Sequence, residues 1–419
     1  MSKMLRTLTL FVATLFCSYA PTPLLATSYC PPFPPTRILF VNNCNTLPPG
    51  PGQFGTGTYD NPYNNLFHAL NVSQPCDVIY VFPGNMPYNA DDEAAAAILP
   101  DGPYTLKDNQ RLLGTTTEAF PSPCSDCDKP TLTRNSTGNP RYPTVVRILV
   151  NNANNEVSGF NIVTPTTSAI NIGISAIPDP ITTGVNPNIT ITHNTFLVSA
   201  THGIGLNLTS FPSNVDLLYV IENEFIADNL ITHFGLNISF FSGLAFVSNN
   251  SFHGSIPSFV FTSSIFCSVF ERGNLGGRVD LAILNNTISA ITAPSTAITG
   301  ITIVNEDPAN MTVVALVAAN AVNIGGASSS NNSGIDISSF SGGGPICLTL
   351  VNNIVSTPVN VPGYIFNNGN ETGSFLLTNY NNIGTFETGI GSAPITYTYG
   401  CPDLRFPFFF EIPLLPPGF

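Results

Sequence analysis

The 419-residue sequence predicts an all-β chain, a right-handed parallel β-helix (solenoid) with an N-terminal cap and a Pro/Phe-rich C-terminal tail. Three observations point there. The first is a recurring phrase: a short apolar strand ending in Asn, then one residue, then an apolar residue. It reads Ile191-Thr192-His193-Asn194-Thr195-Phe196, Val220-Ile221-Glu222-Asn223-Glu224-Phe225, Val247-Ser248-Asn249-Asn250-Ser251-Phe252 and Ile283-Leu284-Asn285-Asn286-Thr287-Ile288, with weaker copies at 317–322 and 351–355. Its Asn residues, Asn194, Asn223, Asn250, Asn286, Asn320 and Asn353, are separated by 29, 27, 36, 34 and 33 positions. The second is an element that follows most copies, a Gly and then a small-apolar alternation: Gly203-Ile204-Gly205-Leu206, Gly235-Leu236-Asn237-Ile238, Gly300-Ile301-Thr302-Ile303 and Gly334-Ile335-Asp336-Ile337. The third is composition. Asn, Thr, Ser, Gly, Ile, Val and Phe dominate, and charged residues are only 9% against 43% hydrophobic, so amides and hydroxyls must face the water.

Pairs of short strands with a variable loop, once every 27 to 36 residues, describe a coil that climbs one rung per repeat. A single rung cannot bury its own inner face, so rungs must stack into one continuous core. Asn at a tight corner tolerates a left-handed backbone, and its amide can bond the backbone and the equivalent amides above and below. We read the six Asn residues as such a structural ladder. Alternating Ile, Val, Leu and Phe fill the interior between corners. The alternative is an antiparallel sandwich in which Asn marks hairpin turns; the constant order of the phrase disfavours it.

At the N-terminus Lys3 and Arg6 precede an apolar run from Leu8 to Phe16, which reads as a secretory signal over residues 1–26. The run is too short to span a bilayer comfortably, and no later apolar stretch is long enough, so no transmembrane span is expected. A cap and first rungs follow over 27–144, β-helix rungs over 145–400 and a capping tail over 401–419. The tail carries Phe406, Phe408, Phe409 and Phe410, interrupted by Pro407, Pro413, Pro416 and Pro417. Proline cannot supply ladder hydrogen bonds, so the tail reads as cover for the open last rung rather than as barrel strands. Cys17 leaves with the signal. Cys30, Cys44, Cys76, Cys124, Cys127, Cys267, Cys347 and Cys401 remain, an even set compatible with disulfides whose connectivity is not readable. Cys124-Ser125-Asp126-Cys127 has no second Cys pair or His pair nearby and reads as structural.

The segment from Arg37 to Gly114 has its own wording. A strand, Arg37-Ile38-Leu39-Phe40-Val41-Asn42-Asn43, leads to Gly55-Thr56-Gly57-Thr58-Tyr59-Asp60-Asn61-Pro62 and a short apolar helix candidate through Leu70. A buried strand, Asp77-Val78-Ile79-Tyr80-Val81-Phe82-Pro83-Gly84, comes next, and Leu106-Lys107-Asp108-Asn109-Gln110-Arg111-Leu112-Leu113-Gly114 reads as another strand with its exit turn. This order resembles the cap and first rungs of pectin-lyase-like β-helix proteins. The wording is similar to bacterial surface passenger domains of autotransporter and inverse-autotransporter type. The resemblance implies a β-helix at a bacterial surface. One departure matters, since such passengers are joined to an outer-membrane barrel and no barrel region follows here.

The formal net charge of -13 argues against nucleic acid, because nothing could neutralise phosphates. Elimination chemistry on uronic acids needs an Arg or Lys base and carboxylates holding calcium. Between residues 150 and 400 the only cations are Arg272 and Arg278, both in the stretch 271–278, which reads as a flexible loop. Hydrolysis needs two carboxylates at a set separation. The weak catalytic candidates are Glu222 and Glu224, expected on the same face of one strand, with Asp228 after a bend; their other reading is an exposed acidic edge. Asp91-Asp92 reads as solvated in an N-terminal loop. His68, His193, His202, His233 and His253 have no metal-ligand spacing, and no cofactor motif is present, so neither metal nor cofactor is expected. The expectation is an exported, non-catalytic surface or secreted β-helix that binds a protein or glycan, outside the cell or at the outer-membrane surface. The alternatives are a polysaccharide-active glycoside hydrolase and a structural envelope component.

Overall fold

The computed structural model describes residues 37–44, 54–114 and 129–135 and, between 144 and 397, the strands with their corners and the turn 357–363. It is a right-handed parallel β-helix. Its described strands form three parallel sheets, a first of 12 strands, a second of 9 and a third of 10. One rung runs through Asn188–Thr192 in the first sheet, Thr195–Val198 in the second and His202–Thr209 in the third, and then climbs to Val215–Ile221. The expected pair of strands per rung is thus three. The apolar residues after the Asn form a strand of their own, and only a two-residue corner separates it from the strand before. Without Gly or Pro at that corner the sequence showed no break.

The corner also corrects the place of the left-handed residue. It is the residue before the ladder Asn that has positive φ: His193, Glu222, Asn249, Asn285, Ala319 and Asn352, at 53 to 57°. The ladder Asn that follows is buried in every case. One left-handed residue turns the chain, and placing it first leaves the next side chain inside the stack.

The interior is a column of Ile, Val, Leu and Phe. Phe196, Phe225 and Phe252 of the second sheet stack with centroids 4.6 Å apart and nearly parallel planes. Across the interior stands a row of third-sheet glycines. A Cβ on Gly205 would lie 2.7 Å from Phe225 Cδ1, and one on Gly235 2.7 Å from Phe252 Cδ1. At these two rungs the glycine makes room for the ring, whereas Gly300 and Gly334 make room for Val322 and Val355. Leu206 pairs with Leu236, so Gly205 and not Gly203 stands in this row.

The cap contains helix α1 (Leu66–Val72), where a helix was expected, and a second helix α2 (Ala90–Ala96) that was not. The stretch 106–114 is two strands, Tyr104–Leu106 in the third sheet and Arg111–Gly114 in the first, because Lys107 to Gln110 turn the corner. Asp91 and Asp92 open α2 instead of lying in a loop: Asn89 Oδ1 accepts from both of their backbone N–H groups. Asp91 is not solvated, being ion-paired with Arg134 at 3.0 Å. Its burial outweighs that partner and holds its carboxyl above the usual range.

Glu93 of α2 reaches under the start of α1. Its Oε2 accepts from Phe67 N and from the Tyr104 hydroxyl, each at 3.0 Å. Burial is the main cause that raises its pKa to about 7. Below the ordinary carboxylate range, folded and unfolded chains are both protonated at this site. Between about 4.5 and about 7 the unfolded chain loses a proton that the folded one keeps, so stability falls as pH rises, by on the order of 3 kcal/mol, and is flat above. Glu93→Gln is expected to abolish that part of the slope in denaturation midpoints measured from pH 4 to 8; parallel profiles for the two proteins would refute it.

Cys44, Cys76 and Cys347 are disulfide-bonded. Cys267 is a free thiol in the interior, and burial pushes its pKa up to about 12. Residues 1–26, Cys30, Cys124, Cys127, Arg272, Cys401 and the tail 401–419 lie outside the described residues. No helix among the described residues is long and apolar enough to cross a membrane.

Candidate functional site

The corners between the first and second sheets bring the largest set of named polar residues into one line. Asn223 Oδ1 accepts from Asn194 N at 3.0 Å and from Asn194 Nδ2 at 3.1 Å. The same double contact joins Asn223 to Asn250, Asn250 to Asn286, Asn286 to Asn320 and Asn320 to Asn353. Each Nδ2 also donates to a first-sheet carbonyl of the rung before, as Asn286 does to Val247 O at 3.0 Å. The line runs on to Asn382, whose Oδ1 accepts from Asn353 N and Nδ2. The sequence reading missed that member. Its signal is the doublet Asn381-Asn382, with Asn381 at φ 50°. At the other end Phe160 replaces the Asn and Gly159 takes the left-handed position.

The candidate carboxylates sit around one of these corners but not as expected. Glu222 is the left-handed corner residue itself, whereas Glu224 begins the second-sheet strand Glu224–Asp228. They do not share a face of one strand. A left-handed corner between them breaks the alternation on which that reading relied. Asp228 ends the same strand as Glu224, with no bend between. Glu222 Oε2 lies 2.5 Å from His193 Nε2, the equivalent residue one rung before. Glu224 Oε2 accepts from Thr195 Oγ1 at 3.5 Å, and Lys129 Nζ donates to Thr195 Oγ1 and to His193 O. Glu222 and Glu224 thus each have a local partner at the corner.

The other candidates disperse. His68 lies in α1, stacked on Phe54 at 4.1 Å. His202 and His233 fall within third-sheet strands, and His253 lies exposed on the second sheet. Arg278 is not in a loop but in the strand Gly277–Leu284, where its Nη2 pairs with Asp280 at 2.5 Å. Among the described residues no group of three or more His, Cys, Asp or Glu side chains could hold a metal ion.

A groove of about 940 Å³ opens at the C-terminal end of the second sheet. It is lined by 354–362 and 383–385, and Ile354, Val359 and Ile383 are exposed around it. Among the described residues no ionisable side chain lines it. Those residues offer apolar contact, amides and hydroxyls.

Residues 50–254, just under half of the chain, match the model of a family described as a protein of unknown function, DUF1565. No curated protein matches. Among solved structures the chain is similar to two A-modules of mannuronan C-5 epimerases from Azotobacter vinelandii. AlgE6 is 13% identical with a TM-score of 0.36, covering 85% of this chain and 97% of that one. AlgE4 is 11% identical with a TM-score of 0.34, covering 86% and 100%. The GH136 lacto-N-biosidase from Eubacterium ramulus is 9% identical with a TM-score of 0.33, covering 86% of this chain and 68% of its own. Likeness at this level bears on neither substrate nor reaction.

Proposed function

We propose that this chain is an exported, non-catalytic binding rod whose β-helix surface holds a protein or an uncharged glycan, at the cell surface or outside it. The observation that carries this reading is the separation of Glu222 from Glu224 by a left-handed corner, each with its own partner. Paired carboxylates need a substrate held between them. The second sheet instead presents rows of side chains at the strand spacing. Thr195, Glu224, Ser251, Thr287, Ala321 and Ile354 form one row, and only Glu224 among them ionises. A stiff array of hydroxyls and small apolar groups suits many weak contacts in line. The passenger-like opening around 37–114 and the signal-like start belong with the same reading and point to the outer-membrane surface or the medium.

A polysaccharide panel with purified protein is the test. The expected result is retention on one or more immobilised members, nearly unchanged from about 0.05 to 0.5 M salt because few charges are involved, with no sugar released. Released reducing sugar that disappears in Glu222→Gln would replace the binding rod with a hydrolase. Fractionation of cells carrying a tagged chain is expected to place it in the medium or outer-membrane fraction. Tight envelope retention with no ligand would point to a structural component instead.

A further inference from the structure

The three sheets end at different heights. The second sheet has its last described strand at Ile354–Ser356. The next rung still has a strand in the first sheet, Phe375–Tyr380, and one in the third, Phe386–Thr388. Between them the second sheet keeps a single residue. Ile383 N donates to Asn353 O at 2.8 Å, and Ile383 O accepts from Val355 N at 2.9 Å. Gly384, at φ 141°, then turns the chain away, and Thr385 O accepts from Tyr364 N in the third sheet. The Tyr364 hydroxyl donates to Asn353 O and Ile383 O, each at 3.3 Å, and closes the interior beneath this step. Among the described residues, none continues the ladder beside Ser356 and Thr357. The groove of about 940 Å³ opens here, outside the core.

Its walls carry Ile354, Val359 and Ile383, which are 44, 83 and 60% exposed. The other large apolar side chains of comparable exposure, among the described residues, all lie between Ile38 and Ile98. Along the described rungs beyond the cap, open aliphatic surface is therefore gathered at this one step. Apolar surface concentrated in this way marks a place where a soluble chain meets a partner. We propose that the groove takes an extended, uncharged segment of a partner protein, laid along the open edge of the second sheet. The inference rests on the reading of the chain as a binding rod, and it names the partner class for one end of that rod.

Three features select that occupant. The first is the backbone. A strand edge without a neighbour presents N–H and C=O groups in series, which another extended backbone satisfies by adding to the sheet. The added segment must lack proline where it pairs, because proline has no N–H to donate. The second is the wall. Side chains of an extended segment alternate between two sides, so one set meets Ile354, Val359 and Ile383 while the other faces water. Val, Ile or Leu suits the first set, and Ser or Thr the second. The third is charge. No described lining residue is ionisable, so a charged side chain held against these walls would lose water and gain no counter-charge. A glycan fits less well, since no described lining residue is aromatic and the walls offer a sugar no ring to stack on.

The probe is a phage-displayed library of random peptides, selected on the immobilised full chain. Enriched peptides are expected to be uncharged and proline-poor, with β-branched residues at alternate positions. A synthetic peptide of the enriched sequence is expected to bind at least about tenfold more weakly to Val359→Asp and to Ile354→Asp. Ile98→Asp is the control, since Ile98 is as exposed as Val359 but lies in the cap; its affinity is expected to be unchanged. Circular dichroism checks that all three variants keep the strand signal. Enrichment of charged or proline-rich peptides, or equal binding by all variants, overturns the proposal. A photo-crosslinking side chain at position 359 separates the occupants, and a cross-link to the selected peptide is expected. A cross-linked dimer, or a cross-link to the chain's own last residues, would give the groove to a second copy or to the chain itself and overturn the proposal. Glycan retention with no peptide selected would sink this inference alone and leave the binding rod standing.

Discussion

Asn286→Ala is expected to cost about 3–5 kcal/mol of stability, read from the midpoint of urea unfolding followed by circular dichroism. Asn286 is wholly buried, and its Oδ1 is the acceptor for Asn250 N. Alanine leaves that N–H without its partner, worth about 1–3 kcal/mol, and removes three amide contacts worth about 1 kcal/mol each at most. Those contacts run from Asn250 Nδ2, to Val247 O and to Asn320 Oδ1. Asn286→Asp is expected to be no better, since a carboxylate would face two acceptors in a dry site. The neighbour makes a control. Asn285 is exposed at φ 53°, a conformation glycine adopts freely, so Asn285→Gly is expected to stay within about 0.5 kcal/mol of the natural chain. Equal, small losses for Asn286→Ala and Asn285→Gly would mean that the ladder does not hold the corners.

Phe225→Ala is the second large effect, expected at about 3–5 kcal/mol, because it removes the middle ring of a three-ring stack in a packed interior. The facing glycine makes the idea sharper. Gly205→Ala would place a Cβ against the Phe225 ring and 2.8 Å from Gly235 O, with an overpacking cost of about 1–3 kcal/mol. Combined with Phe225→Leu, part of that clash is relieved. The double variant should therefore be less destabilised than the sum of the single ones, by more than about 0.5 kcal/mol. Strict additivity would show that ring and glycine do not compete for the same space.

The ladder was legible because a stacked corner repeats its chemistry once per rung, so the demand on one residue appears in the sequence as a period. The doublets Asn249-Asn250, Asn285-Asn286, Asn352-Asn353 and Asn381-Asn382 carried a second message that was not read. The first member takes the left-handed turn and the second bonds along the stack. His193, Glu222 and Ala319 hide it, because the surroundings impose the same backbone on residues with no preference for it. The same substitution misled the reading of Glu222 and Glu224. Two residues apart means one face only where the strand is unbroken.

The sequence by itself determined a repeating all-β coil, an amide line along one edge and a surface nearly free of cations, since each follows from residue types recurring in fixed order. Only the tertiary structure decided that a rung has three strands and that glycines face a ring stack. It alone decided that Asp91 is paired, that Glu93 is hydrogen-bonded beneath α1, and that the first sheet carries an apolar cluster on its outer face. These depend on which residues meet across the interior or over a sheet, at separations of about thirty positions and more. No local pattern encodes such meetings, because each strand's outward side chains read alike until something lies against them.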